Sequence, residues 1–137
     1  MVIAAAPRHL QTIRVRYAES DQMGFAHHGA YVVWLEEARI SWLRAVGASY
    51  RALEESGVFM PVVECTIRYR KSLRFDDVAE LETTVSVRGP SRMSFTTIVR
   101  HEGVDCAEGT VTVAAVTRAG RPTRIPADVL AALDASN

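Results

Sequence analysis

One helical stretch set among strands limits the possible folds more than any other feature of this chain. From Ala30 to Val46 the apolar residues recur with a helical period. At 100° per residue Tyr31, Trp34, Leu35, Ala38, Trp42, Ala45 and Val46 fall on one stripe, with Glu36, Glu37, Arg39, Ser41 and Arg44 opposite. About 17 residues at about 1.5 Å each give a rod of roughly 25 Å, and its two tryptophans can cover much of a small sheet. Gly47 is a plausible stop. Residues 48 to 56 suggest a second, shorter helix ending near Gly57.

Almost everything else alternates with the period of a strand. In residues 12 to 17, Ile13, Val15 and Tyr17 point one way and Arg14 and Arg16 the other. Val63, Cys65, Ile67 and Tyr69 alternate with Glu64, Thr66, Arg68 and Arg70, and residues 79 to 87 alternate again. Gly89-Pro90-Ser91 reads as a turn. Two further strands are expected over 92 to 101 and 104 to 117, then a loop over 118 to 126 and a short helix from Asp128 to about Leu133. The predicted order is strand, loop, long helix, four strands in a meander and a terminal helix. That is an α+β arrangement, five strands wrapped around one central helix. One helix cannot cover such a sheet and both its edges, so a homo-oligomer is expected.

Composition narrows the function classes. With 137 residues the chain fits one domain, taken as 1–137, and 48% apolar with 23% charged residues is a globular balance. Sixteen basic and sixteen acidic residues cancel, which gives no electrostatic reason to expect nucleic acid. No run approaches the roughly 20 apolar residues of a membrane span. The opening MVIAAAP lacks a positive start and a long apolar core, so no signal peptide and a cytoplasmic location are expected. Cys65 and Cys106 stand apart and read as reduced core cysteines. No HxxxH or CxxC spacing suggests a metal, and no cofactor is implied.

Chemistry concentrates before the long helix. Asp21, Gly24, His27 and His28 lie within eight residues, in a loop that runs into a helix N-terminus. Unpaired N–H groups and the positive dipole end there can hold an oxyanion. A carboxylate beside such a site can attack a thioester or deprotonate water. Local pattern alone also fits a simpler role, with Asp21 as a turn residue and the histidines as a cap and a solvent-facing side chain.

The segment VRYAESDQMGFAHHGAY, from Val15 to Tyr31, resembles the signature of the 4-hydroxybenzoyl-CoA thioesterase family of hotdog proteins. The helix segment WLEEARISWL, the later RYRKSLRFDDVAELET and the closing GRPTRIPADV resemble further parts of that family in the same order. The resemblance implies a hotdog fold and an acyl-CoA thioesterase without metal or cofactor. It matches Asp21 to the catalytic carboxylate, nucleophile or base, and Gly24 to the glycine that turns the loop. It matches His28 to the position whose backbone N–H polarises the carbonyl, with the side chain able to orient water. The neighbouring Gly29 N–H joins that site, and Tyr31 and Trp34 line the acyl pocket. Glu36 and Arg39 match a helix ion pair read as structural. Arg92, Arg121 and Arg124 stand where relatives hold the nucleotide, and guanidinium suits phosphate. Members usually carry Asn before the helix Tyr, where this chain has Ala30.

The homo-oligomer is expected to be a homotetramer, a dimer of hotdog dimers, with a simple dimer left open. An acyl-carrier-protein thioester is an alternative substrate, since both carriers present a phosphopantetheine arm. A hydratase would need its Asp and His closer together and an Asn-Pro loop. A non-catalytic acyl-CoA-binding sensor would have little use for Asp21 at the helix start.

Overall fold

The computed structural model describes residues 8–135, so the apolar stretch 1–7 lies outside the described residues. Strand β1 (His9–Arg14) precedes the long helix α1 (His28–Ala45) and the short helix α2 (Tyr50–Glu55). Strands β2 (Val62–Tyr69), β3 (Val78–Val87), β4 (Arg92–His101) and β5 (Val104–Ala114) follow, and helix α3 (Ala127–Ala135) comes last. All five strands form one antiparallel sheet in the order β1-β3-β4-β5-β2. The expected α+β architecture is therefore present.

The simple meander is corrected. Only β3, β4 and β5 run as one. Strand β2 pairs with β5, Thr66 opposite Thr110, because β1 and β4 already occupy the two edges of β3. Strand β2 is thus an edge, exposed along nearly its whole length, and Cys65 is exposed rather than a core residue. Cys106 on β5 is buried as expected. The first strand also sits earlier than its alternation suggests. It ends at Arg14, and Tyr17 opens a 3-10 turn (Tyr17–Glu19) with its side chain 80% exposed. The last strand stops at Ala114, short of residue 117.

Helix α1 lies across the inner face through Tyr31, Trp34, Leu35, Ala38, Trp42 and Leu43, all buried. The inner face supplies Leu81, Val85, Met93, Phe95, Val99 and Val113. Each such side chain contributes on the order of 1.5–3 kcal/mol by leaving water. Trp42 meets Phe95 edge to face at 5.7 Å. Gly109 allows the close approach: a Cβ there would fall 2.5 Å from Cδ1 of Leu35. Buried hydroxyls are paired across strands, Thr83 with Thr97 at 2.9 Å and Ser94 with Thr112 at 2.8 Å.

Two expectations on α1 change. Ala45 faces solvent. Arg39, placed opposite the apolar stripe, is buried; its Nε donates to the Tyr50 hydroxyl at 3.3 Å, and its guanidinium lies 6.0 Å from that ring. The short helix α2 has drawn it inward, and Glu36 stays exposed rather than pairing with it.

Candidate active site

The backbone between β1 and α1 builds the site. After the 3-10 turn the chain forms a small hairpin, with Ser20 and Ala26 bridged and Asp21 at its tip. The Asp21 N–H donates to the Phe25 carbonyl at 2.8 Å, and the Gly24 N–H donates to the Asp21 carbonyl at 3.0 Å. Gly24 takes a left-handed φ of 82°, which a side chain would resist. The turn around Phe75 braces the hairpin from outside. Phe75 N–H donates to the Gly24 carbonyl and Ala26 N–H to that of Leu73, each at 2.8 Å.

Asp21 is exposed and held on one side only. Its Oδ1 accepts from the N–H groups of Met23 at 2.9 Å and Phe25 at 3.1 Å. Its Oδ2 has no partner among the described residues. The carboxylate is oriented and still has one oxygen available.

His27 caps α1. Its Nδ1 accepts from the Ala30 N–H at 3.1 Å, which satisfies one of the orphan donors of the first turn. The N–H groups of His28 and Gly29 meet no acceptor among the described residues. They are the free donors of the helix start, where the dipole adds positive potential. Ala30 is buried in the core beneath and does not line the cleft.

Asp21, His28 and Tyr31 come together in an open cleft of about 660 Å³, with Phe25, Ala26, His27 and the segment Tyr69–Ser72 as its other walls. Tyr31 is edge to face with Tyr69 at 5.0 Å, and burial pushes its hydroxyl pKa up. The Tyr69 hydroxyl donates to the His28 carbonyl at 3.1 Å, and burial raises its pKa too.

Trp34 does not reach this cleft. It is buried behind it, and its Nε1–H donates to Glu19 Oε2 at 2.8 Å. The three predicted nucleotide arginines are elsewhere in the chain. Arg92 pairs with Ala114, while Tyr69 pairs with Ala107 on the same strand. That separates them by about 23 Å at a rise of about 3.3 Å per residue. Arg121 sits in a turn closed by its carbonyl and Thr117 N–H, and Arg124 lines a separate groove beside α2 with Gly47 and Ser49. Arg70 and Lys71 are the cations at the cleft. The basic run Arg68–Lys71 was visible in sequence, but not where the end of β2 would lie. Among the described residues no three His, Cys, Asp or Glu side chains gather as metal ligands. No helix among them is long and apolar enough to cross a membrane.

One antiparallel sheet laid on one long helix is the hotdog arrangement. The chain belongs to the thioesterase-like superfamily, whose model matches residues 15–133. An acyl-CoA thioester hydrolase of Escherichia coli is 32% identical over 121 residues, covering 87% of this chain and 90% of its own. A Bacillus subtilis protein provisionally named an acyl-CoA thioesterase is 41% identical over 73 residues, so the match spans about half its length, 53%. The crystal structure of a hypothetical protein from Thermus thermophilus superposes with a TM-score of 0.86 at 39% identity, covering 93% of this chain and 98% of that one.

Proposed function

We propose that this protein hydrolyses acyl-CoA thioesters, with Asp21 as the catalytic carboxylate. The observation that carries the reading is the hydrogen bonding of Asp21: two backbone donors hold Oδ1 and leave Oδ2 free in the cleft that the start of α1 enters. The names of the Escherichia coli and Bacillus subtilis relatives support the substrate class.

The thioester carbonyl lies against the N–H groups of His28 and Gly29. Asp21 takes a proton from water, and the hydroxide adds to the carbonyl carbon. The N–H pair stabilises the resulting oxyanion. Collapse breaks the C–S bond, and the departing thiolate takes the proton back from Asp21, leaving free acid and CoA. In the direct version Asp21 Oδ2 attacks, thiolate leaves, and water cleaves the mixed anhydride. His28 lends its backbone N–H in both and its ring to the water. Gly24 keeps the hairpin tight, and Tyr31 packs the acyl group. Arg70 and Lys71 meet the acidic part of the carrier. Arg92, Arg121 and Arg124 serve the nucleotide only if a second copy brings them to the cleft.

A second copy has a place to join. Strand β2 presents an unpaired edge with Val62, Val63 and Tyr69 about half exposed, a surface that pairing would protect. That edge supports a homo-oligomer built on β2, with a tetramer as a pair of such dimers as part of the same proposal. Location in the cytoplasm accords with the substrate class.

Thiol release from a panel of acyl-CoAs and an acyl-carrier protein tests the assignment. Asp21→Asn keeps the shape and removes the base, so the rate falls by about 10²–10⁴-fold. A variant with most of the wild-type rate sinks the role of Asp21.

A further inference from the structure

Two residues before Asp21 stands a second carboxylate with the opposite surroundings. Glu19 is 7% exposed in a chain where most acidic side chains face water. Its Oε1 accepts the Arg16 N–H at 2.8 Å. Its Oε2 accepts the Trp34 Nε1–H at 2.8 Å and Arg16 Nη2 at 3.2 Å. Its backbone carbonyl accepts the His27 N–H at 2.9 Å. Glu19 therefore touches three pieces: the stretch leaving β1, the second turn of α1 and the residue that caps α1.

These pieces frame the site. Only Ser20 separates Glu19 from Asp21, and Ser20 is itself fastened, its hydroxyl donating to the Arg16 carbonyl at 3.1 Å. Asp21 and the free N–H groups of His28 and Gly29 belong to different segments, and the shape of the hairpin alone does not set the gap between them. The bond from Glu19 to Trp34 ties the root of the hairpin to α1, and the bond from His27 ties its return arm to the same residue. A fixed gap matters because a misplacement of about 1 Å can cost on the order of 10²-fold in rate.

We propose that Glu19 is a positioning residue for thioester cleavage: its carboxylate holds the Asp21 hairpin in register with the start of α1, so that Asp21 and the His28 and Gly29 N–H groups face one reacting carbonyl. This rests on the reading of Asp21 and the helix start as the reacting pair. The charge is part of the role, because every group that meets the carboxylate is a donor. An amide in its place would turn an N–H toward one of them.

The test uses the full chain and three variants, Glu19→Gln, Trp34→Phe and the two combined, assayed on whichever acyl-CoA the wild type hydrolyses. Glu19→Gln lowers kcat by roughly 10-fold or more while KM stays within about twofold, since the defect lies in aligning the reacting groups rather than in binding. Trp34→Phe keeps an aromatic ring at that position and removes the donor, so the double variant recovers part of the kcat lost in Glu19→Gln. A kcat for Glu19→Gln within about twofold of wild type overturns the proposal. So does a lowered melting temperature with kcat per folded molecule unchanged. If Glu19→Gln does not fold, Trp34→Phe decides alone: a several-fold loss of kcat at constant KM supports the proposal, and an unchanged kcat overturns it. A wild type that releases thiol from no acyl thioester removes the reading of the site itself, whereas an active wild type with indifferent variants removes only the role of Glu19.

Discussion

The two ends of α1 are built from the same kinds of residue and end in opposite states. At the C-terminal end Trp42 and Leu43 join Phe95, Met93, Val113, Val129 and Leu133 in a cluster closed over by α2 and α3. At the N-terminal end Tyr31, Trp34 and Ala38 join Val15, Leu73, Leu81 and Val99, but Glu19 enters the cluster and an open cleft reaches Tyr31. One end is sealed and stabilises. The other keeps donors and a carboxylate free, and polar bonds join burial in giving it shape. Stability and chemistry are thus divided along one helix.

The largest effect that would test this division comes from the sealed end. Trp42→Ala removes a fully buried ring that packs edge to face on Phe95. It should cost about 3–5 kcal/mol of folding stability, read by urea titration, while kcat per folded molecule changes little. A loss of kcat as great as that of Asp21→Asn would show that the two ends are not separate. Gly24→Ala tests the open end. Its φ of 82° penalises any side chain although open space surrounds it, so the cost in stability is about 1–2 kcal/mol. The activity falls further than that cost implies, because the strain is released into the Asp21 turn. An equal loss in both measurements would show that the hairpin merely unfolds more often.

The same division explains what the sequence could reveal. The sealed end was legible because burial writes itself as period: Trp42 on the helical stripe, and Leu81, Thr83 and Val85 on alternate positions of β3, are where the pattern puts them. Asp21, His28 and Tyr31 were found through a motif, and they do share a cleft. Trp34 shows the limit. Its place on the stripe says buried, not what its Nε1–H meets, and that partner lies fifteen residues back, in a stretch that reads only as loop. Tyr69, Arg70 and Lys71 were missed because β2 pairs with β5 rather than with β3, and periodicity carries no information about strand order. Arg39 was misplaced for a related reason: a helical wheel does not know that α2 will fold back and offer a tyrosine hydroxyl.

His27→Ala should have a smaller effect than either substitution above. The imidazole Nδ1 caps α1 by accepting from Ala30 N–H, and losing such a cap costs about 0.5–2 kcal/mol. The Ala30 N–H keeps its bond to the His27 carbonyl at 3.0 Å and the N–H groups of His28 and Gly29 are untouched, so the rate should change less than the stability. Thermal melts and thiol release on the same sample separate the two. A rate loss near that of Asp21→Asn would give His27 a chemical role that its cap geometry does not suggest.

The smallest slope of stability with pH near neutrality belongs to Glu19, and its acid limb has a definite sign. Burial pushes its pKa up, but hydrogen bonds from the Arg16 side chain and N–H and from the Trp34 indole outweigh burial and hold it below the ordinary value. A folded-state pKa that is depressed means that the carboxylate's contribution to stability is complete above the unfolded value, about 4.3, and is lost as pH falls from there through the lower folded value. Between pH 6 and 8 Glu19 therefore contributes no slope. Below the unfolded value the wild type loses stability and Glu19→Gln, which has no proton to take up, loses less, so the two urea midpoints converge as acid is added. Midpoints that stay equally far apart down to pH 3 would mean that the Glu19 bonds do not depend on its charge, and the open end of α1 would then be held by shape alone.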